Sequence, residues 1–500
     1  MATLKLESTY ARDLEGCSIP WRPAVVPNPR PLFINHALAD ELGLEPSLLS
    51  PEWVATVFSG NEVPEGTEPV AQAYAGHQFG GFSPQLGDGR AVLLGEIIDR
   101  AGQRRDIALK GSGRTPFSRG GDGKASIGPM LREALIGEAM HALGIPTTRA
   151  LAVVATGEGV RRERVLPGAV LTRVAASHIR VGTFEYFAAR GDLRRLRNLA
   201  EYTIARHDPT LVGRPDRFLA LLESVAARQA SLLAQWMNVG FIHGVMNTDN
   251  MAIPGETIDY GPCAFLEGYD PDTVFSSIDR HGRYAYANQP AIAGWNLARF
   301  AQALVPLITA EAADAESGIA QASRILEAFP AAYERELIQG QRAKLGLRTD
   351  EPGDTALAED WLTLLHTARA DATLAWHSLA AAAVGDDAPL RTLLGDRADP
   401  TAWLASWRDR CARDDQGEAD AANAGGKRAQ RLRRVNPWVI PRNHRVEEAL
   451  TAAVEQADLG PFEHLLSAIR RPYDALPEHA RYAEPGPPEV TACYQTFCGT

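Results

Sequence analysis

The chain has 500 residues, 45% apolar and 23% charged, with 51 Lys plus Arg against 62 Asp plus Glu and a formal net charge of −11. At roughly 150 residues per domain the length suggests about three domains, and the composition is that of a folded globular protein, which excludes disordered and fibrous classes. The acidic balance argues against nonspecific affinity for nucleic acid or anionic membrane, so any polyanion must be met by a local basic site.

No stretch reaches the roughly 20 uninterrupted apolar residues of a spanning helix; the run LLAQWMNVGFI at 232–242 is too short. The start, MATLKLESTYARDLEG, carries acids early and lacks a signal-type apolar run. The cysteines Cys17, Cys263, Cys411, Cys493 and Cys498 form neither a disulfide framework nor a CxxC zinc pair. The expectation is a cytoplasmic, monomeric protein with no nucleic-acid and no membrane partner.

Residues 1–70 combine proline-rich extended pieces (IPWRPAVVPNPRPLF) with two short helical patterns, HALADELG after Asn35 and PEWVATVF after Ser50, and read as a wrapping segment. From Arg90 to Lys110 the β-type runs RAVLLGEIID and DIALK flank a polar turn, a hairpin with Lys110 near the end of its second strand. After the glycine-rich GSGRTPFSRGGDGKAS, the segment IGPMLREALIGEAMHALGI has helical periodicity and carries Glu133 in its first half. Two further β-type runs, RALAVVAT and GAVLTRVA, complete a mostly antiparallel, sheet-rich unit over 71–182.

Helical patterns dominate 183–413, among them PDRFLALLESVAARQASLLAQWMNVG and a continuous run DWLTLLHTARADATLAWHSLAAAAV. Polar loops interrupt them at 241–266. The stretch 414–434 is poor in apolar residues and reads as a flexible loop, and 435–500 as a C-terminal helical segment and tail.

A sheet unit followed by a helical unit leaves a cleft where the two meet. Four features point to it: the glycine-rich GHQFGGFSPQLGDGRA at 76–91, Lys110 on a strand, Glu133 on the next helix, and HGVMNTDN followed by IDYG. Glycines let a backbone approach phosphate oxygens closely. A buried lysine needs a counter-charge, which a glutamate on a neighbouring helix supplies. His243 and Asn250 have the separation of the kinase pattern H-R-D-x-x-x-x-N, but Val245 stands where the kinase base would be. Asp249 is the one carboxylate of that loop, and Asp259 stands where kinases have a metal-binding aspartate. Asn250 and Asp259 offer two oxygen ligands suited to Mg²⁺. GGDGKAS at 120–126 is no Walker A loop, since Ser118 replaces its first glycine and Ala125 its Ser or Thr. Arg90, Arg173 and Arg180, on or beside the sheet unit, suit phosphate.

These motifs, with LREALIGEAMHALGIPTTRAL and NPWVIPRNH at 436–444, resemble the selenoprotein O (SelO) family over nearly the whole chain. The resemblance implies an α+β, protein-kinase-like bilobal fold that binds ATP flipped relative to ordinary kinases. It implies transfer of AMP, with UMP from UTP left open, to Ser, Thr or Tyr hydroxyls of proteins, with Mg²⁺ or Mn²⁺. It implies a Lys110–Glu133 ion pair, nucleotide contacts from Gly87, Gly89 and Arg90, and Asp122, Gly123, Arg173 and Arg180 around the triphosphate. Asn250 and Asp259 would hold the metal, Asp259 also touching nucleotide, and Asp249 would accept the proton. Cys498 matches a redox-active third-from-last residue, yet its usual partner position is Phe275, with Cys263 nearby. Two alternatives stand beside this reading: a phosphotransferase with ordinary ATP orientation, and a catalytically silent nucleotide-binding scaffold or redox-responsive adaptor.

Overall fold

Two β-type runs, Ala91–Ile98 (AVLLGEII) and Arg104–Lys110 (RRDIALK), pair antiparallel with Ala91 opposite Lys110. Asp99 shapes the turn between them by accepting hydrogen bonds from the backbone of Ala101 and Gln103. In the computed structural model, which describes residues 4–416 and 423–497, this hairpin is the centre of an α+β molecule. The main sheet runs Ser18–Pro20, Val70–Gln72, Ala91–Ile98, Arg104–Lys110, Val165–Ala175, Arg149–Arg161, Arg30–Ile34, and Ala125–Ser126 pairs beside Val165–Ala175. Its pairings are antiparallel.

The first 70 residues do more than wrap: Ser18–Pro20 and Arg30–Ile34 are the two outer strands of that sheet. Proline there is physically reasonable, because an edge strand can lack a ladder donor. The helices His36–Glu41 and Pro51–Phe58 start where expected, with Asn35 and Ser50 accepting from the backbone N–H of Leu38 and Trp53.

The helix Ile127–Ala142 is buried almost throughout, packed on Arg149–Arg161 on one side and on Asn443–Glu455 and Gly460–Ile469 on the other. A helix covered on both faces cannot show a strong amphipathic stripe, and this one alternates Leu131, Ala134, Leu135 and Met140 with buried charges. Glu138 near its end receives hydrogen bonds from Arg149 and Arg470, joining helix, sheet and C-terminal segment.

The helical part is built around Arg217–Val239, which packs against Gln289–Glu311 and Ala315–Lys344. By length and composition the segment Tyr286–Glu311, with a mean hydropathy of 1.2, is apolar enough to cross a membrane, and half of it is buried inside the molecule. Leu297, Phe300 and Leu304 on it lie in the core shared with the neighbouring helices.

Two sequence expectations need correction. The continuous helix expected from DWLTLLHTARADATLAWHSLAAAAV is two helices, Asp354–Ala368 and Ala372–Ala382. Arg369 takes a left-handed φ of +50° between them, and Asp371 caps the second by accepting from Leu374 N–H. Of the stretch 414–434 expected as a flexible loop, Asp414 ends the helix Thr401–Asp414 and Ala424–Val435 is a helix, residues 417–422 lying outside the described ones. The second is held by Arg428, a buried guanidinium donating to Gly346 O, Cys411 O and Asp415. Low apolar content misled because an arginine stem can fill core space while its head is hydrogen-bonded.

The NPWVIPRNH motif owes its place to Arg442. This buried guanidinium bonds Glu267 at 2.6 Å, Asp371 at 2.5 and 3.1 Å and Ala483 O at 2.9 Å, fastening the C-terminal segment to the helical part. Removing one partner of such a cluster leaves the others buried and uncompensated. Arg442→Met is expected to cost about 3–5 kcal/mol in denaturant unfolding, the loss shrinking at acid pH as Glu267, whose carboxyl is raised by burial, protonates.

Candidate active site

Lys110 ends its strand beside Glu133 on the buried helix, with Nζ donating to Oε2 at 2.5 Å. The same ammonium donates to Asp259 Oδ1 at 2.6 Å. Arg173, on the neighbouring strand Val165–Ala175, donates to both carboxylates, at 3.3 Å to Glu133 and 2.7 Å to Asp259. The two strands are in register there, Lys110 facing Leu171 and Ala108 facing Arg173 across the ladder. Arg180, the residue before helix Val181–Ala188, lies 3.8 Å from Asp259 Oδ2 and 3.8 Å from Asp88, with its guanidinium 4.5 Å from the Tyr74 ring centre. Burial opposes ionisation of Asp259, but Lys110, Arg173 and Arg180 together hold its carboxyl well below the usual range. Its backbone takes a left-handed φ of +63°.

Arg173 is itself held from behind. Its Nε–H donates to His178 Nε2 at 3.2 Å, and the other ring nitrogen of His178 donates to Asp106, which Arg206 also binds. Burial pushes His178 down to about 4, so the ring is neutral and can accept from Arg173.

These groups face a cleft of about 650 Å³. Of the residues the resemblance assigns to nucleotide, metal or catalysis, Gly87, Gly89, Arg90, Lys110, Asp122, Gly123, Arg173, Arg180, Asp249, Asn250 and Asp259 line it, and Glu133 sits behind Lys110. A Cβ at Gly87, where φ is +77°, would lie 2.3 Å from the Phe117 ring, so only glycine lets that wall close. Asp122 accepts from Arg162 at 2.9 Å and from Lys124 N–H at 3.0 Å.

Asp249 sits on a single helical turn, Thr248–Asn250. Gln78 Nε2 donates to its Oδ2 at 3.2 Å, while Oδ1 is buried and accepts no hydrogen bond. Desolvation pushes this carboxyl up to about 6. The chain passes so close that a Cβ on Gly76 would lie 2.7 Å from Oδ1. His243 is buried in the same loop, its Nε2 donating to Ile258 O at 2.9 Å, and Val245 lines the cleft without offering a charge.

Asn250 Nδ2 donates to Val245 O at 2.9 Å, and its amide oxygen is the atom that could bind a cation. That oxygen and the ionised Asp259 carboxylate suit a hard divalent cation such as Mg²⁺ or Mn²⁺, which takes few protein ligands and completes its shell with water and phosphate. Among the described residues no three His, Cys, Asp or Glu side chains converge as a cation cage.

The fold adds residues that the motifs alone did not single out. Asp88, inside the GDGR run, is buried against Arg180 and pushed up to about 6 by burial. Arg162 and Lys124 line the cleft beside Asp122. Arg162 belongs to a turn whose two adjacent arginines were its only sequence signal. Cys498 lies outside the described residues. The tail before it runs beside Phe275, with Thr496 N–H donating to Phe275 O at 2.8 Å and Thr496 Oγ1 to Pro262 O at 2.7 Å. Cys263 is fully buried, and burial pushes its thiol up to about 11.

The family described as Protein adenylyltransferase SelO matches residues 1–470. The chain belongs to the SelO family. It is 58% identical over 499 residues to a protein of Cereibacter sphaeroides (strain ATCC 17029 / ATH 2.4.9) named Protein nucleotidyltransferase YdiU, covering 100% of both chains. Proteins of the same name from Chromobacterium violaceum and Mycobacterium sp. (strain KMS) are 57% and 54% identical, over 96% and 100% of this chain and 99% and 100% of theirs. A SelO-family chain this close to its relatives is an enzyme of the nucleotidyltransferase class, as the sequence resemblance implied.

The raised Asp249 makes a stability prediction. Its folded value, about 6, exceeds the unfolded one, so ionisation destabilises the fold at neutral pH and costs nothing once both states are protonated. Asp249→Asn is therefore expected to raise unfolding free energy at pH 8 by up to about 3 kcal/mol, at roughly 1.4 kcal/mol per pKa unit. The gain should fade between about pH 6 and pH 4 in denaturant titrations.

Proposed function

We propose that this cleft transfers AMP from ATP to Ser, Thr or Tyr hydroxyls of proteins, releasing pyrophosphate. In this reading the nucleotide lies in a protein-kinase-like bilobal cleft with its triphosphate turned inward. The observation that carries it is where the positive charge sits. Lys110, Arg173 and Arg180 are buried on the inner wall, and a purine placed there would leave three desolvated cations without a phosphate partner. Asp249, desolvated and with one oxygen free, feels Arg180 but forms no ion pair with these cations among the described residues, and Val245 stands in place of a kinase base.

Chemistry on a nucleoside triphosphate is mostly positioning and charge stabilisation, so the phosphorus facing the acceptor is the one attacked. The acceptor oxygen bonds to the α-phosphorus, its proton passes to Asp249, and the bond to the β-phosphate bridging oxygen breaks as pyrophosphate leaves. Lys110, Arg173 and Arg180 offset the charge that develops on that leaving group. A divalent cation held by Asn250 and Asp259 would add electrostatic neutralisation of phosphate oxygens. The phosphate contacts do not read the base, so UTP fits the same scheme. Gly87 and Gly89, with Arg90, border the cleft where the nucleoside would enter.

Label transfer tests the reading. α-Labelled ATP should mark protein, γ-labelled ATP should not, and Lys110→Ala or Asp259→Ala should abolish the signal. Asp249→Asn should keep the ATP-induced melting shift while lowering kcat by about 10²–10⁴-fold, the range for a lost general base. Wild-type kcat should rise with pH through about 6 as Asp249 ionises. Because Asp88 is also raised to about 6, Asp88→Asn should leave that rise in place. Label appearing from the γ position alone would mean a kinase, and none from either position a silent scaffold.

A further inference from the structure

The surface next to Asp249 is built from a short hairpin, Gly76–Gln78 paired with Gly81–Ser83. Three hydrogen bonds tie it to the loop that carries Asp249. His77 N–H donates to Thr248 Oγ1 at 2.7 Å, Gln78 Nε2 to Asp249 at 3.2 Å, and Phe79 N–H to Asn247 Oδ1 at 3.1 Å. Phe79 holds a left-handed φ of +51°, a conformation that a phenylalanine does not adopt without outside contacts. The result is outward-facing rings: Phe79 is 40% and Phe82 41% exposed, and Ile278, 50% exposed, shares the cleft mouth with Phe79.

Cations flank these apolar groups. Phe82 lies 4.8 Å from the His77 ring, His77 5.2 Å from Trp295, and Phe79 5.1 Å from Tyr284. The Arg283 guanidinium stands over both Trp295, at 4.9 Å, and Tyr284, at 5.7 Å, and Arg299 over Trp295 at 5.0 Å. Neither arginine forms an ion pair with a carboxylate among the described residues, and the Nε of each is buried without a hydrogen bond. The nearby Asp279 carboxylate is taken up by the backbone N–H groups of Arg283 and Tyr284, so in a chain of net charge −11 two stacked guanidinium groups without a carboxylate partner, beside exposed aromatic rings, form a surface complementary to an acidic, partly apolar ligand.

We propose that this platform docks the acceptor protein, and that it selects a segment in which the hydroxyl residue is flanked by one apolar and one acidic side chain. The apolar side chain covers Phe79, Phe82 and Ile278, and the carboxylate meets the free edges of Arg283 and Arg299. Stacking on a ring fixes a guanidinium plane, so less freedom is lost when the carboxylate binds. The hairpin bonds directly to the Asp249 loop, and a segment seated on it brings its hydroxyl to that carboxylate. That this segment is the acceptor rests on the adenylyl-transfer reading; the docking itself does not.

The test measures binding separately from chemistry. Fluorescent peptides with one Ser flanked by Phe and Glu, by Phe and Lys, or by Gly and Glu are titrated with the full chain and followed by anisotropy. The Phe–Glu peptide should bind about tenfold more tightly than either of the others, as expected for a charge pair with an apolar anchor. The double reversal Arg283→Glu with Arg299→Glu should invert the order of the Glu and Lys peptides, an outcome unfolding cannot produce. Equal affinities in wild type, or an unchanged order in the double variant, would overturn the proposal. The same peptides are then offered with α-labelled ATP. Selective binding without label on Ser would sustain the docking surface and remove the transfer reading, whereas label with no charge preference would remove the docking surface alone.

Discussion

The structure depends on bringing three buried cations together with one buried and one half-buried carboxylate. Glu133 and Asp259 share Lys110 and Arg173, with Arg180 beside them, and these groups come from two strands, one helix and two loops. A buried charge without its partner costs several kcal/mol, so no one segment can settle until the others are present. The left-handed backbone at Asp259 is a further cost, of about 1–2 kcal/mol for a residue with a side chain, and the cations that bind its carboxylate offset it. The cluster is thus poor as a source of stability and good as a fixed array of charge. Preorganised charge of this kind stabilises a developing anion without rearranging when it forms.

The two aspartates of the cleft are driven in opposite directions by their surroundings. Asp259 is held ionised by guanidinium and ammonium groups, whereas Asp249 is left with one weak donor and a buried bare oxygen. Such separation lets one cleft keep a permanent anion and a carboxyl that changes charge near pH 6. His178 serves the first of these at a distance, since a neutral ring between Asp106 and Arg173 keeps the guanidinium aimed at Asp259. Protonating that ring would set two positive groups against each other.

What could be read from residues alone was local. The hairpin ending at Lys110, the helix with Glu133 and the seven-residue step from His243 to Asn250 are short-range patterns, and they located the cleft walls. Features created by distant contacts were not readable. Asp88 matters because Arg180 reaches it from far along the chain, and the strands Ser18–Pro20 and Arg30–Ile34 are strands only because other segments offer them an edge. Helix Ala424–Val435 looked like a linker because its core-filling residue is an arginine, and the break at Arg369 has no glycine or proline to announce it. The aromatic hairpin at 76–83 was visible only as a glycine-rich run, since its glycines mask the rings between them.

The helix bearing Glu133 is roofed by Asn443–Glu455 and Gly460–Ile469, segments more than 300 residues away along the chain. A chain cut before Asn443 would keep both aspartates and Lys110, Arg173 and Arg180, yet lack the roof that seats this helix against the sheet. Loss of that roof should therefore loosen Glu133, and with it the whole charge cluster, without removing any of its members.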